Sequence, residues 1–149
     1  MFRSTKIFSG YSCCFRQWKA THSHCRFMHG YALSFRVVFE GETDERGWVC
    51  DFGCFGRNGV KSRLKELFDH TTIIAADDPA LSTFQQMDSD GLIQLRIVEA
   101  VGAENFAKLV CDEVNRMLLM DDFHAGRVQA VQVECFENQT NSAIYSLKD

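Results

Sequence analysis

From Tyr31 to Glu40 the chain alternates, with Leu33, Phe35, Val37 and Phe39 set against Ser34, Arg36, Val38 and Glu40. A period of two is the repeat of a strand, so this stretch commits the chain to a sheet with one strongly apolar face. Such a face must be covered by other elements. Two helical patterns can supply the cover. Asn58 stands in a capping position, and Val60, Leu64, Leu67 and Phe68 follow as one apolar stripe. A second helix is expected from Ala103 to Leu119, with Phe106, Leu109, Val110, Val114 and Met117 on one face. Its first turn carries Glu104, which suits the positive end of a helix dipole. Further extended runs are expected at Thr5–Arg16, Trp48–Phe52, Arg127–Phe136 and Ala143–Ser146, the last after a turn at Asn138–Asn141. Val131, Val133 and Cys135 read as a core face, which points Glu134 the other way. The grouping of strands and helices predicts an α+β fold with an antiparallel sheet. Residues 75–100 read as an inserted excursion, with a turn at Asp77-Asp78-Pro79, a short helix Ala80–Met87 and a strand Leu92–Val98. No low-complexity stretch or boundary interrupts residues 1–149, which therefore read as a single domain.

Composition narrows the functional classes. The 149 residues are 46% hydrophobic and include thirteen Phe, enough for a packed core. A net charge of −4 gives no basic footprint for nucleic acid. No apolar run is long enough to span a membrane, and the segment Met1–Lys6 lacks the apolar core of a secretion signal. Seven irregularly spaced cysteines, with no Cys-x-x-Cys, form a poor disulfide framework and suit a reducing cytoplasm.

Chemistry concentrates in His22-Ser23-His24-Cys25-Arg26-Phe27-Met28-His29-Gly30-Tyr31, which holds three of the five histidines. Both side-chain types bind zinc, and a thiolate beside histidine is a reactive base or nucleophile. Arg16, Lys19 and Arg26 surround the cluster as a cationic rim, which suits a phosphorylated ligand and equally suits a solvated loop. Farther on, Asp69 precedes His70 directly, so a carboxylate is available to orient an imidazole.

These pieces resemble the 6-pyruvoyltetrahydropterin synthase and 6-carboxytetrahydropterin synthase family. Cys25-x-x-x-His29-Gly30 leading into a strand is similar to its cysteine and His-Gly-His segment. Gly47-Trp48-Val49-Cys50-Asp51-Phe52, Phe68-Asp69-His70, Glu104-Asn105 and Val133-Glu134 resemble further motifs in the same order. The resemblance implies a tunnelling fold, a four-stranded antiparallel sheet with two helices on one face, assembled as trimers into a hexamer with sites between subunits. It implies catalysis by Cys25, Asp69 and His70, and pterin binding by Glu134 and Glu104. The family's zinc is held by three histidines. Here Phe15 and Tyr31 stand at two of those positions and only His29 remains, so zinc would need His24, or His22 and Cys14, to complete a set. A strand points Cys14 to the face opposite Phe15. The expected activity is a 6-carboxytetrahydropterin synthase-like lyase acting on dihydroneopterin triphosphate on the way to deazapurines such as the queuosine precursor. The alternatives are a non-catalytic pterin- or purine-binding relative without the zinc site, and a metalloprotein using His22, His24 and His29 for other ends.

Overall fold

A computed structural model describes residues 1–148, with the alternating stretch as one of two central strands in a mixed sheet. In chain order the elements are β1 (Phe2–Phe15), β2 (His29–Gly41), α1 (Cys54–Arg57), α2 (Val60–Phe68) and β3 (Thr71–Ala75). There follow α3 (Leu81–Ser89), β4 (Leu95–Val98), α4 (Ala103–Leu119), β5 (Val128–Phe136) and β6 (Ser142–Ser146). The strands lie in the order β4-β3-β1-β2-β5-β6. β1, β2, β5 and β6 pair antiparallel, but β3 runs parallel to β1 and β4 parallel to β3. The expected four antiparallel strands are therefore corrected to six strands of mixed direction. The extra pair is β3 and β4, joined by α3 in the crossover that parallel neighbours require. The 75–100 segment thus supplies a helix and a sheet strand.

Both helical patterns appear where expected. Asn58 Oδ1 accepts the Val60 amide at 3.1 Å at the start of α2, although a short α1 turn already precedes it. One continuous core joins α1, α2 and α4 to the apolar sheet face, built on Phe8, Phe15, Phe35, Phe39, Phe55, Phe68 and Phe106.

Two bulges set which residues reach that core. Phe8 pairs with Phe35 and Tyr11 with Leu33, so β1 carries one extra residue around Gly10, whose φ is 89°. The extra residue turns Tyr11, Cys13 and Phe15 inward and leaves Ser12 and Cys14 on the opposite face. A second bulge in β5 falls between Ala130 and Gln132. Ala130, Val133 and Cys135 are fully buried, and Val131, expected in the core, is the half-buried extra residue.

Trp48–Phe52 is irregular rather than a strand. Its backbone is satisfied by side chains instead of a ladder. The Asp44 carboxylate accepts the Arg46 and Trp48 amides at 2.9 and 3.0 Å. The Arg127 guanidinium donates to the carbonyls of Glu42, Val49 and Phe123 at 2.7, 3.0 and 3.1 Å.

Candidate active site

The sheet end where β1 finishes and β2 begins gathers most of the reactive side chains. Cys25 lies on an exposed 3₁₀ turn, His24–Arg26. The Ser23 hydroxyl accepts the Cys25 amide at 3.1 Å, and the Gln17 amide donates to the Cys25 carbonyl at 2.7 Å. The thiol is thus carried on a fixed turn at the end of β1. His29 begins β2 directly opposite Phe15. Its Nδ1 lies 2.8 Å from the Phe27 carbonyl, which it meets as a donor, leaving Nε2 as the free acceptor.

Phe15 and Tyr31 do not make a metal site. Their rings stack at 4.0 Å with 13° between planes, and His29 tilts onto Tyr31 at 4.5 Å. Phe15 then meets Phe106 edge-on at 4.9 Å. An aromatic column therefore runs from exposed His29 into the core through the positions where the resemblance places zinc ligands. Burial, then Glu137, Cys25 and Cys13, push the Tyr31 phenol up to about 12, so it stays a neutral donor and a poor ligand. Cys14 faces away, with its sulfur 3.2 Å from the Thr72 hydroxyl. Among the described residues, His22, His24, His29 and Cys14 form no set of three close donors; Cys54, Asp121 and His124 form the one such set. The family's zinc does not fit the residues at this end.

Asp69 and His70 sit beside β1, between α2 and β3. The Ser12 amide donates to Asp69 Oδ1 at 3.1 Å, and the His70 amide donates to the Ser12 carbonyl at 2.6 Å. This double grip puts His70 in the left-handed region at φ 58°, which histidine tolerates better than most residues. The imidazole is well exposed, with Nδ1 3.1 Å from Asp69 Oδ2. The Ser12 amide, against some desolvation and with help from His70, holds Asp69 below the usual carboxylate range. An ionised carboxylate thereby orients an imidazole whose other nitrogen faces solvent.

No hydrogen bond or ion pair joins Cys25 to Asp69–His70 among the described residues. The Cys25 turn is tied to Gln17, beyond the end of β1, whereas Asp69–His70 is tied to Ser12 within it.

The carboxylates divide. Glu134 accepts the Ser142 hydroxyl at 2.9 Å and pairs across strands with Arg36, toward the middle of the sheet on the face away from the core. Glu104 lies in the first turn of α4 and Glu137 directly follows β5, and both raise the pKa of buried Cys135 behind the larger effect of burial. Glu137 also perturbs Tyr31. The fold therefore brings Glu137, rather than Glu134, within electrostatic reach of Tyr31, with Glu104 acting on Cys135. The sequence reading passed over Glu137, whose one visible signal is its place between a strand and the polar turn Asn138–Asn141. The cationic rim is mostly neutralised. Arg16 grips both oxygens of buried Asp78, Lys19 pairs with Asp77 at 3.2 Å, and Arg26 donates to the Thr21 carbonyl at 3.2 Å.

A mixed sheet backed by α1, α2 and α4, with an Asp-His pair and a cysteine turn at its end, defines an α+β protein of the tunnelling-fold type. An uncharacterised protein of Wolinella succinogenes shares the fold at TM-score 0.80 and 19% identity, over 99% of this chain and 98% of that one. The Caenorhabditis elegans 6-pyruvoyl tetrahydropterin synthase does so at TM-score 0.66 and 18% identity, over 99% and 96%. For the Plasmodium vivax 6-pyruvoyltetrahydropterin synthase the values are 0.63 and 13%, over 97% and 98%. No curated protein matches the sequence. The family model for 6-pyruvoyl tetrahydropterin synthase matches residues 5–148, and the chain belongs to that family. Family members are lyases of pterin metabolism.

Proposed function

We propose that this protein is a pterin synthase-like lyase that takes dihydroneopterin triphosphate along the 6-carboxytetrahydropterin branch. The observation that carries the reading is the pinned Asp69–His70 pair, an exposed imidazole oriented by an ionised carboxylate. Asp69 holds the Nδ1 proton, which leaves Nε2 to accept a proton from substrate and return it. Cys25 is the second proton-moving group, presented on its fixed turn. Tyr31 stays protonated and donates a hydrogen bond toward developing negative charge on the substrate side chain. A carboxylate anchors the pterin by accepting two parallel N–H bonds from its amino-pyrimidine edge. Glu137 is the better placed for this than Glu134, and Glu104 lies at the same end. No step is assigned to zinc.

Because Cys25 and His70 are separate within one subunit, the working site is completed by a neighbouring subunit in a trimer-built hexamer. The edge strands β4 and β6, with Ile97 and Ile144 about half exposed, favour such association. Seven free thiols suit a reducing cytoplasm.

The Phe15–Tyr31 stack favours one second reading, a pterin-binding relative that no longer turns over substrate. Product analysis with dihydroneopterin triphosphate separates the two. The lyase forms 6-carboxytetrahydropterin, and His70→Asn, which preserves the left-handed backbone, lowers the rate by about 10²-fold or more. Pterin binding without product, unchanged in Cys25→Ala, establishes the binder instead.

A further inference from the structure

The donor set Cys54, Asp121 and His124 lies outside the pterin end and has no part in the chemistry above. Cys54 opens α1, whereas Asp121 and His124 sit in the turn between α4 and β5. One donor atom from each lies within 4.8 Å of the other two. His124 is only 1% exposed, and its ring lies nearly parallel to Phe55, with 15° between planes and 6.4 Å between centroids. Its Nδ1 is 2.8 Å from Asp121 Oδ2, and the Cys54 sulfur is 4.0 and 3.9 Å from its two ring nitrogens. The Asn58 amide donates to Asp121 Oδ2 at 3.0 Å and toward the Cys54 sulfur at 3.7 Å. Asn58 thus orients two of the three donors from behind, as outer-shell groups do in metal sites.

A nucleophilic triad is the competing reading, and the geometry opposes it. The sulfur stands almost equally far from both ring nitrogens and beyond the reach of a nucleophile–base hydrogen bond. For a metal the three donors are of the right kind and near one another. Bonds of about 2.0 Å to nitrogen or oxygen and 2.3 Å to sulfur put tetrahedral donors roughly 3.3–3.6 Å apart. Because the sulfur is nearly equidistant from both ring nitrogens, binding needs the imidazole to turn one nitrogen toward the ion and the 2.8 Å Asp121–His124 contact to open. A cleft of about 530 Å³ reaches the three residues and gives an ion a path in and a fourth, water-filled position. Four aspartates against three arginines line it.

We propose that Cys54, Asp121 and His124 form a binding site for a divalent transition metal, of the zinc type by its sulfur, nitrogen and oxygen donors. The ion would tie α1 to the α4–β5 turn, bridging residues 54 and 124. As the metal binds, the Cys54 thiol proton leaves, and the imidazole proton now shared with Asp121 moves to the ring nitrogen that does not bind the ion.

The test is metal analysis of the full chain purified without chelators, followed by cobalt titration of the metal-stripped protein. About one zinc per subunit and a thiolate-to-cobalt charge-transfer band are expected. Cys54→Ala should abolish the band and weaken zinc binding by about tenfold or more, and Asp121→Asn, which keeps the size but removes the charge, should weaken it as well. His29→Ala should leave both intact. Absence of metal after zinc loading overturns the proposal. So does metal that persists unchanged in both Cys54→Ala and Asp121→Asn, or that is lost with His29→Ala alone. Pterin turnover enters none of these readouts.

Discussion

Asp78 is 4% exposed, and its buried charge persists because Arg16 engages both of its oxygens and the Ala80 amide adds a third bond. Chiefly through Arg16, its carboxyl is held below the ordinary carboxylate range despite burial. A depressed folded pKa contributes stability that is complete above the unfolded value, near 3.9, and is lost as pH falls through the folded value. Wild type should therefore lose urea resistance below about pH 4, and Asp78→Asn should lose less over the same window. At neutral pH that variant, which leaves Arg16 unpaired, should be less stable by about 3 kcal/mol. Equal acid dependence in the two proteins would show that the pair adds nothing. Phe15 makes a different demand. It is fully buried between Tyr31 and Phe106, so Phe15→Ala should cost about 3–5 kcal/mol in denaturant midpoints. A cost below about 1 kcal/mol would mean that the position is loosely packed and free to regain a metal role.

Among the elements, sequence periodicity located what was amphipathic and missed what was buried on both sides. β2 and α4 each show one apolar face, and both lie where the repeat of two and the helical stripe placed them. β3 is Thr71-Thr72-Ile73-Ile74-Ala75, buried at every position, so it has no alternation to reveal it. Its parallel pairing depends on β1, which is far away in sequence. Trp48–Phe52 failed for the opposite reason. Its β-like composition suggested a strand, but Arg127, far away in sequence, takes its carbonyls. Lysine cannot reproduce that fork. Arg127→Lys should therefore destabilise the protein by about 2 kcal/mol, the scale of the charge-assisted bonds lost. A denaturation midpoint equal to wild type would show that water replaces the guanidinium at no cost.

For the whole molecule, motif order brought the family and the Cys25 and Asp69–His70 groups into view from sequence, because each sits in a short contiguous run. Glu137 and the Cys54–Asp121–His124 set were invisible, since only folding brings their members together. Among the described residues no hydrogen bond or ion pair joins Cys25 to Asp69 or His70, and the account requires that subunits share a site. Subunit complementation is the direct test. Cys25→Ala and His70→Asn oligomers are prepared separately, mixed, dissociated and reassembled, and assayed with dihydroneopterin triphosphate. Each parent should be about 10²-fold or more below wild type, and the mixture should recover a substantial fraction of activity because some interfaces pair an intact Cys25 with an intact His70. A mixture no more active than its parents, or parents as active as wild type, would contradict a shared site built on Cys25 and His70.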